Sequence, residues 1–244
     1  MSGHSKWSKV KHQKEATDSV KGKLFTKFAN AIIIAVKEGG GMTDPNSNFK
    51  LRLAIDRAKS INMPKENIQR AIDRAKKSDK DTEISEGVYE AFGPKGIGIL
   101  IEAATDNKMR TVAELKNILE RSGGVLATSG AVSHLFNQVG LIEVKKTGKS
   151  YDKVLENALE GGAIDIEESE EVYNIFTNPN DLHKVREYLV SVGLTIESFE
   201  LYFKATSEIE ISKKEDIDKI EKLLETIEER EDVQRVFANY KSHV

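Results

Sequence analysis

The spacing of the apolar residues changes once along this 244-residue chain, from helical to alternating, and that change limits the fold to a helical part followed by sheets. From Leu24 onward, Phe25, Phe28, Ala29, Ile32 and Val36 fall on one stripe of a helix, and Gly39-Gly40-Gly41 ends it. Thr43-Asp44-Pro45-Asn46 reads as a turn. A second helix follows with Leu51, Ala54, Ile55 and Ala58 inward. Asn62-Met63-Pro64 stops it and opens a third that carries Ile68, Ala71, Ile72 and Ala75. Pro64 suits a first helical turn, where its missing N–H is no loss. Together these predict a small all-α domain over 24–81, ending in the polar linker Ser78-Asp79-Lys80-Asp81.

Beyond the linker the pattern is that of strands. Residues 87–92 and 97–104 flank Gly93-Pro94-Lys95-Gly96 and read as a β-hairpin. Asp106 or Asn107 caps a helix bearing Val112, Leu115, Ile118 and Leu119, Gly123-Gly124 closes it, and 132–136 is expected to be the next strand. Residues 141–203 then read strand, helix, strand, strand, helix, strand, the order of a ferredoxin-like sandwich. A tail helix with Ile217, Ile220, Leu223, Leu224 and Ile227, and a strand near 233–240, supply what 82–136 lacks. The expected fold is α+β with three domains: the helical bundle and two ferredoxin-like α/β sandwiches. One sandwich is discontinuous, 82–136 plus 205–244, and the other, 137–204, is inserted into it.

Charge follows the same division. Residues 1–77 hold 17 of the 37 Lys and Arg but 7 of the 40 Asp and Glu, so a chain of formal net charge −3 separates into a part of +10 and a part of −13. A concentrated cationic surface gains free energy by releasing counterions from a phosphate backbone, which points to nucleic acid. The inserted segment is acidic and repels phosphate. There is no cysteine, hence no disulfide or thiolate metal site. The basic start has no apolar stretch behind it, and the apolar run 29–36, broken by Asn30, is too short to span a bilayer. A cytoplasmic protein without a membrane partner is expected.

The candidate phosphate ligands begin on an N-terminal arm, 1–23, with Lys6, Trp7, Lys9, Lys11, His12, Lys14, Lys21 and Lys23. Lysines neutralise phosphates and Trp7 stacks on a base, while the arm has too little apolar surface to order by itself and is expected to be mobile when free. Lys27, Arg52, Lys59, Arg70, Arg74 and Lys77 extend the set along the helices, away from the apolar stripes. Asp56 and Asp73 interrupt these rows, as surface ion pairing alone would also require. Lys95 at the hairpin tip and Lys108 with Arg110 at a helix start are candidate additions. The glycines around Lys95 belong to turn geometry, since Gly96-Ile97 stands where a phosphate loop needs Ser or Thr. Histidines at 4, 12, 134, 183 and 243 show no metal-type spacing, with His134 expected on a strand, and no nucleophile or acid–base motif is present. No catalytic residue, metal or cofactor is expected.

Long stretches of the chain resemble the YebC family of bacterial and mitochondrial regulatory proteins: GHSKWSKVKHQK, KGKLFTKFANAI, GGGMTDPNSN, LRLAIDRAKSINMPKENIQRAI, YEAFGPKGIGILIEAATDNKMRT, SGGVLATSGAVSHLF and EDVQRVFAN. Gln13 and Phe49 depart from the family's usual basic residue and proline. The resemblance implies a helical N-terminal domain with two α/β domains, the last inserted. It also implies cytoplasmic DNA-binding transcriptional regulators, and a related branch of translational activators at the ribosome. Phosphate contacts serve DNA and ribosomal RNA alike, and no base-reading set is identifiable from the sequence. A protein–protein adaptor that uses the acidic α/β domains is the third function class, and the acidic faces are the candidate surface for a protein partner.

Overall fold

A computed structural model describes residues 18–76 and 84–242. The expectations for Lys6 to Lys14, for Lys77 and for the polar linker lie outside those residues. The chain divides into two compact units, Leu135–Ser207 and the remainder from both sides of it.

In the larger unit, helices α1 (Asp18–Glu38), α2 (Phe49–Ser60) and α3 (Lys65–Lys76) occupy the stretches their apolar spacing predicts. One boundary is corrected: α1 starts at Asp18, so residues 18–23, assigned to the arm, are helical, Lys21 and Lys23 among them. The stripe also understates the burial of α1. Leu24, Ile33, Ile34 and Ala35 are buried as well as Ile32 and Val36, because Ile84 and Ala104 of the α/β part close the same core as α2 and α3. A helix covered on more than one side keeps only a narrow polar face, here with Lys23 and Thr26 exposed.

The turn between α1 and α2 is held by Asn48. Its Oδ1 accepts from Leu51 N at 3.0 Å and caps α2, while its Nδ2 donates to Ala35 O at 2.8 Å and Met42 O at 3.0 Å. A Cβ on Gly39 would lie 2.2 Å from that amide nitrogen, so only glycine fits there.

The sheet of this unit comprises β1 (Ser85–Phe92), β2 (Gly98–Thr105), β3 (Val125–Leu126) and β9 (Val233–Ala238), in the order β3-β1-β2-β9. The helices α4 (Lys108–Arg121) and α7 (Lys214–Glu228) share one core with its inner face through Leu115, Leu119, Ile217, Ile220, Leu223 and Ile227. A parallel pair, β8 (Ile209–Ile211) and β10 (Tyr240–Ser242), adjoins it. The expected strand at 132–136 is not formed. Ser133–Leu135, including His134, is a 3-10 turn, and the strand after α4 is the two-residue β3. Val132 is buried because the buried carboxylate of Glu90 accepts from the N–H groups of Gly130, Val132 and Ser133 and folds the loop inward. Desolvation pushes that carboxyl up, but the N–H bonds outweigh it and its pKa lies below the usual range.

The smaller unit contains β4 (Phe136–Lys145), α5 (Tyr151–Gly161), β5 (Asp165–Glu168), β6 (Val172–Thr177), α6 (Leu182–Ser191) and β7 (Ile196–Ala205). Its strand order β5-β6-β4-β7, antiparallel throughout, is that of a ferredoxin-like sandwich with its hairpin at the edge. The larger unit is also an antiparallel sheet with two helices on one face. Its β1–β2 hairpin lies at the centre, so its strand order departs from the ferredoxin-like one.

Candidate nucleic-acid interface

The apolar stripes of α2 and α3 are buried against α1, and this turns Arg52, Lys59, Arg70 and Arg74 away from the core. How each is held differs. Arg52 Nε donates to Pro45 O at 2.9 Å and its Nη2 to Asn46 O at 3.0 Å, bracing the turn that precedes α2. Arg70 donates to the Asn67 side-chain oxygen and, at 3.4 Å, to Glu66 O. Lys59 lies 3.8 Å from Asp56, both exposed, a pair worth little in water. Arg74 and Lys23 are exposed and have no ion-pair partner among the described residues. Lys21 lies in the first turn of α1.

Lys27 is corrected. It is 5% exposed, its Nζ donates to Glu228 O at 2.8 Å, and so it fastens α1 to the end of α7 instead of facing a phosphate. Desolvation pushes its pKa down to about 8, against the opposing pull of Glu228.

The three added candidates also differ among themselves. Lys95 has a φ of +63° and places its Nζ 3.0 Å from Asp216. Arg110 lies 2.9 Å from Asp106 and 3.1 Å from Asp232, and the Asp232 contact foremost holds its pKa above the ordinary value. Lys108 is exposed.

Asp232 is the centre of a network that the sequence did not reveal. Its carboxylate accepts from Thr111 Oγ1 at 2.8 Å and Thr105 Oγ1 at 3.2 Å as well as from Arg110, and its own carbonyl accepts from Ala104 N at 2.7 Å. Asn107 caps α4 through Arg110 N at 3.0 Å. Thr105 and Asp232 are 127 residues apart, so no periodicity links them. The only signal was that both lie in long motif blocks without a role of their own.

Beside this network, within the larger unit, lies a cleft of about 430 Å³. It is lined by Lys23, Thr26 and Asn30 of α1, by Arg74 and Ile84, and by Asp106, Arg110, Glu114 and Glu229 to Asp232. Arg230 is held by Glu114 through Nε at 2.9 Å and through Nη2. Asn30 is 9% exposed and its amide has no hydrogen-bond partner among the described residues. None of the described helices is long and apolar enough to cross a membrane.

Known proteins match this arrangement over the whole chain. The family model described as "TACO1/YebC protein N-terminal domain" matches residues 5–78, and "TACO1/YebC second and third domain" matches 84–240. A "Probable transcriptional regulatory protein" of Caldanaerobacter subterraneus subsp. tengcongensis is 43% identical over 240 residues, 98% of each chain. One from a Nitratiruptor species is 44% identical over 241 residues, 99% of this chain and 100% of that one. The crystal structure of a conserved hypothetical protein from Aquifex aeolicus superposes with a TM-score of 0.87 at 39% identity, covering 98% of each chain. With both halves matched and relatives above 40% identity along nearly all its length, the chain belongs to the TACO1/YebC family.

Proposed function

We propose that this protein is a DNA-binding transcriptional regulatory protein that holds the phosphate backbone on its N-terminal helical part. The observation that carries this reading is the way Arg52 and Arg70 are held. Both guanidinium groups bond to carbonyl or amide oxygens, so they are fixed in place while no carboxylate among the described residues balances their charge. Arg74 and Lys23 add two exposed cations that are unpaired among the described residues. Pre-positioned, unbalanced guanidinium groups are suited to phosphate oxygens, and each phosphate they neutralise releases counterions. The lysines at 6, 9, 11 and 14, with Trp7 and His12, would lengthen this surface towards the N-terminus. The names of the relatives support the regulatory part of the reading.

The test is a salt titration of the full chain on a short duplex DNA, followed by fluorescence anisotropy. The reading expects log affinity to fall linearly with log salt, and an Arg52→Ala/Arg70→Ala/Arg74→Ala variant to flatten that slope by about 2 to 3 units. A variant with the parent's affinity and slope would overturn the assignment of the surface. Binding to a structured RNA but not to duplex DNA would overturn the DNA part.

A further inference from the structure

The cleft beside α1 is lined both by groups that suit phosphate and by groups that repel it. Among its α/β residues most charge is already balanced: Arg110 by Asp106 and Asp232, Arg230 by Glu114, and Asp232 additionally by two threonine hydroxyls. What is left over is Glu229 and Glu231, both exposed and without an ion-pair partner among the described residues. The same cleft is lined by Lys23, Arg74 and Asn30, whose amide has no hydrogen-bond partner among the described residues.

We propose that this cleft receives an unpaired guanine nucleotide of the strand held on the helical surface, with its phosphate at Lys23 and Arg74 and its base edge at Glu229 and Glu231. The proposal rests on the nucleic-acid reading given above and makes it specific. A duplex would bring phosphates against the two free carboxylates, whereas a base inserted from a single strand brings N–H donors. Carboxylates only accept, and guanine alone among the bases presents two adjacent donors, N1–H and the N2 amine, on its Watson–Crick edge. Adenine and cytosine present one amine beside a ring acceptor. Asn30 supplies a donor and an acceptor for the remaining polar atoms of the base. Among the described residues no aromatic side chain lines the cleft, but the guanidinium planes of Arg110 and Arg230, fixed by their carboxylates, offer faces on which a base stacks. A volume of about 430 Å³ holds one nucleotide and excludes a helix of paired strands.

The experiment uses the full chain and short single strands of adenylate that carry one central guanine, inosine or adenine, made as RNA and as DNA. A good paired contact to a base edge corresponds to roughly 5- to 100-fold discrimination. The guanine strand is therefore expected to bind that much more tightly than the adenine strand, with inosine, which lacks the N2 amine, in between. A Glu229→Gln/Glu231→Gln variant changes two exposed side chains and is expected to lose the guanine preference while binding the adenine strand at least as well as the parent. The RNA and DNA series report which sugar the cleft accepts. Equal affinity of the parent for all three strands, or a guanine preference that survives in the double variant, overturns the guanine site and leaves the phosphate surface standing. Absence of binding to any strand at low salt overturns the guanine site as well, and leaves the phosphate surface to the duplex titration above.

Discussion

Arg52, Arg70 and Arg74 of the helical part and four cations of the α/β part look alike in the sequence and are treated in opposite ways by the fold. Arg52 and Arg70 are anchored by neutral oxygens, and Arg74 is exposed and unpaired among the described residues. Lys95, Arg110, Arg230 and Arg235 each meet a carboxylate: Asp216, Asp232, Glu114 and Glu102. The first group keeps its charge for an outside partner, and the second has consumed its charge in holding the α/β part together. Net charge per region thus understates the contrast, because it counts a paired arginine and an unpaired one equally.

The largest expected effect comes from breaking the second group at its centre. Asp232→Ala would leave Arg110 without its principal partner and the hydroxyl of the buried Thr105 without its acceptor, while Thr111 would keep only Asn107 O and Thr105 Oγ1. Removing one partner from such a network is expected to cost about 3 kcal/mol, read as a lower urea midpoint at unchanged slope. Arg70→Ala is expected to change stability by less than about 0.5 kcal/mol. Equal losses for the two variants would show that Arg70 is as structural as Arg110, and the contrast would fail.

Which cation belongs to which group was not legible in the sequence, and the reason is physical. Helix existence follows from local spacing, so α2, α3, α4 and α7 were readable from their apolar residues. Partners that lie far away in sequence are not encoded in any local period: Arg110 finds Asp232 122 residues later, and Lys27 finds Glu228 201 residues later. Lys27 sat in a lysine-rich stretch and read as one more phosphate ligand until the packing of α1 against α7 buried it. Val132 misled in the same manner, since its burial comes from the three N–H groups folded onto Glu90 and not from strand pairing. The guanine cleft is assembled from α1, the end of α3, the start of α4 and the turn after α7, none of which bears a recognisable motif for a base.

Lys27 is a buried cation of the helical side, and its titration sharpens the comparison. Its folded pKa of about 8 lies below the ordinary lysine value of 10.5. Below about pH 8 folded and unfolded chains both carry the proton, and the cost of burying the charge is fully present. Between about pH 8 and 10.5 the unfolded chain retains a proton that the folded one has released, so this residue makes stability rise with pH across that window. Lys27→Met is expected to abolish that alkaline rise. Urea unfolding at a series of pH values reads the slope. A variant that keeps the rise would place Lys27 with the solvent-facing cations after all.

The smallest effect is expected at Lys95, where the carboxylate partner and the backbone oppose each other. A non-glycine residue at φ +63° costs on the order of 1 kcal/mol relative to glycine, and the half-exposed pair with Asp216 returns less than about 1 kcal/mol. Lys95→Gly removes strain and ion pair together, so its stability is expected to stay within about 0.5 kcal/mol of the parent. Lys95→Ala removes the pair and keeps the strain, and is expected to be the less stable of the two by about 1 kcal/mol. Both are expected to keep the parent's salt slope for nucleic acid, because a cation already spent on Asp216 releases few counterions from a phosphate. A flatter slope in both variants would move Lys95 from the paired group to the available one, and would extend the phosphate surface onto the hairpin tip between β1 and β2.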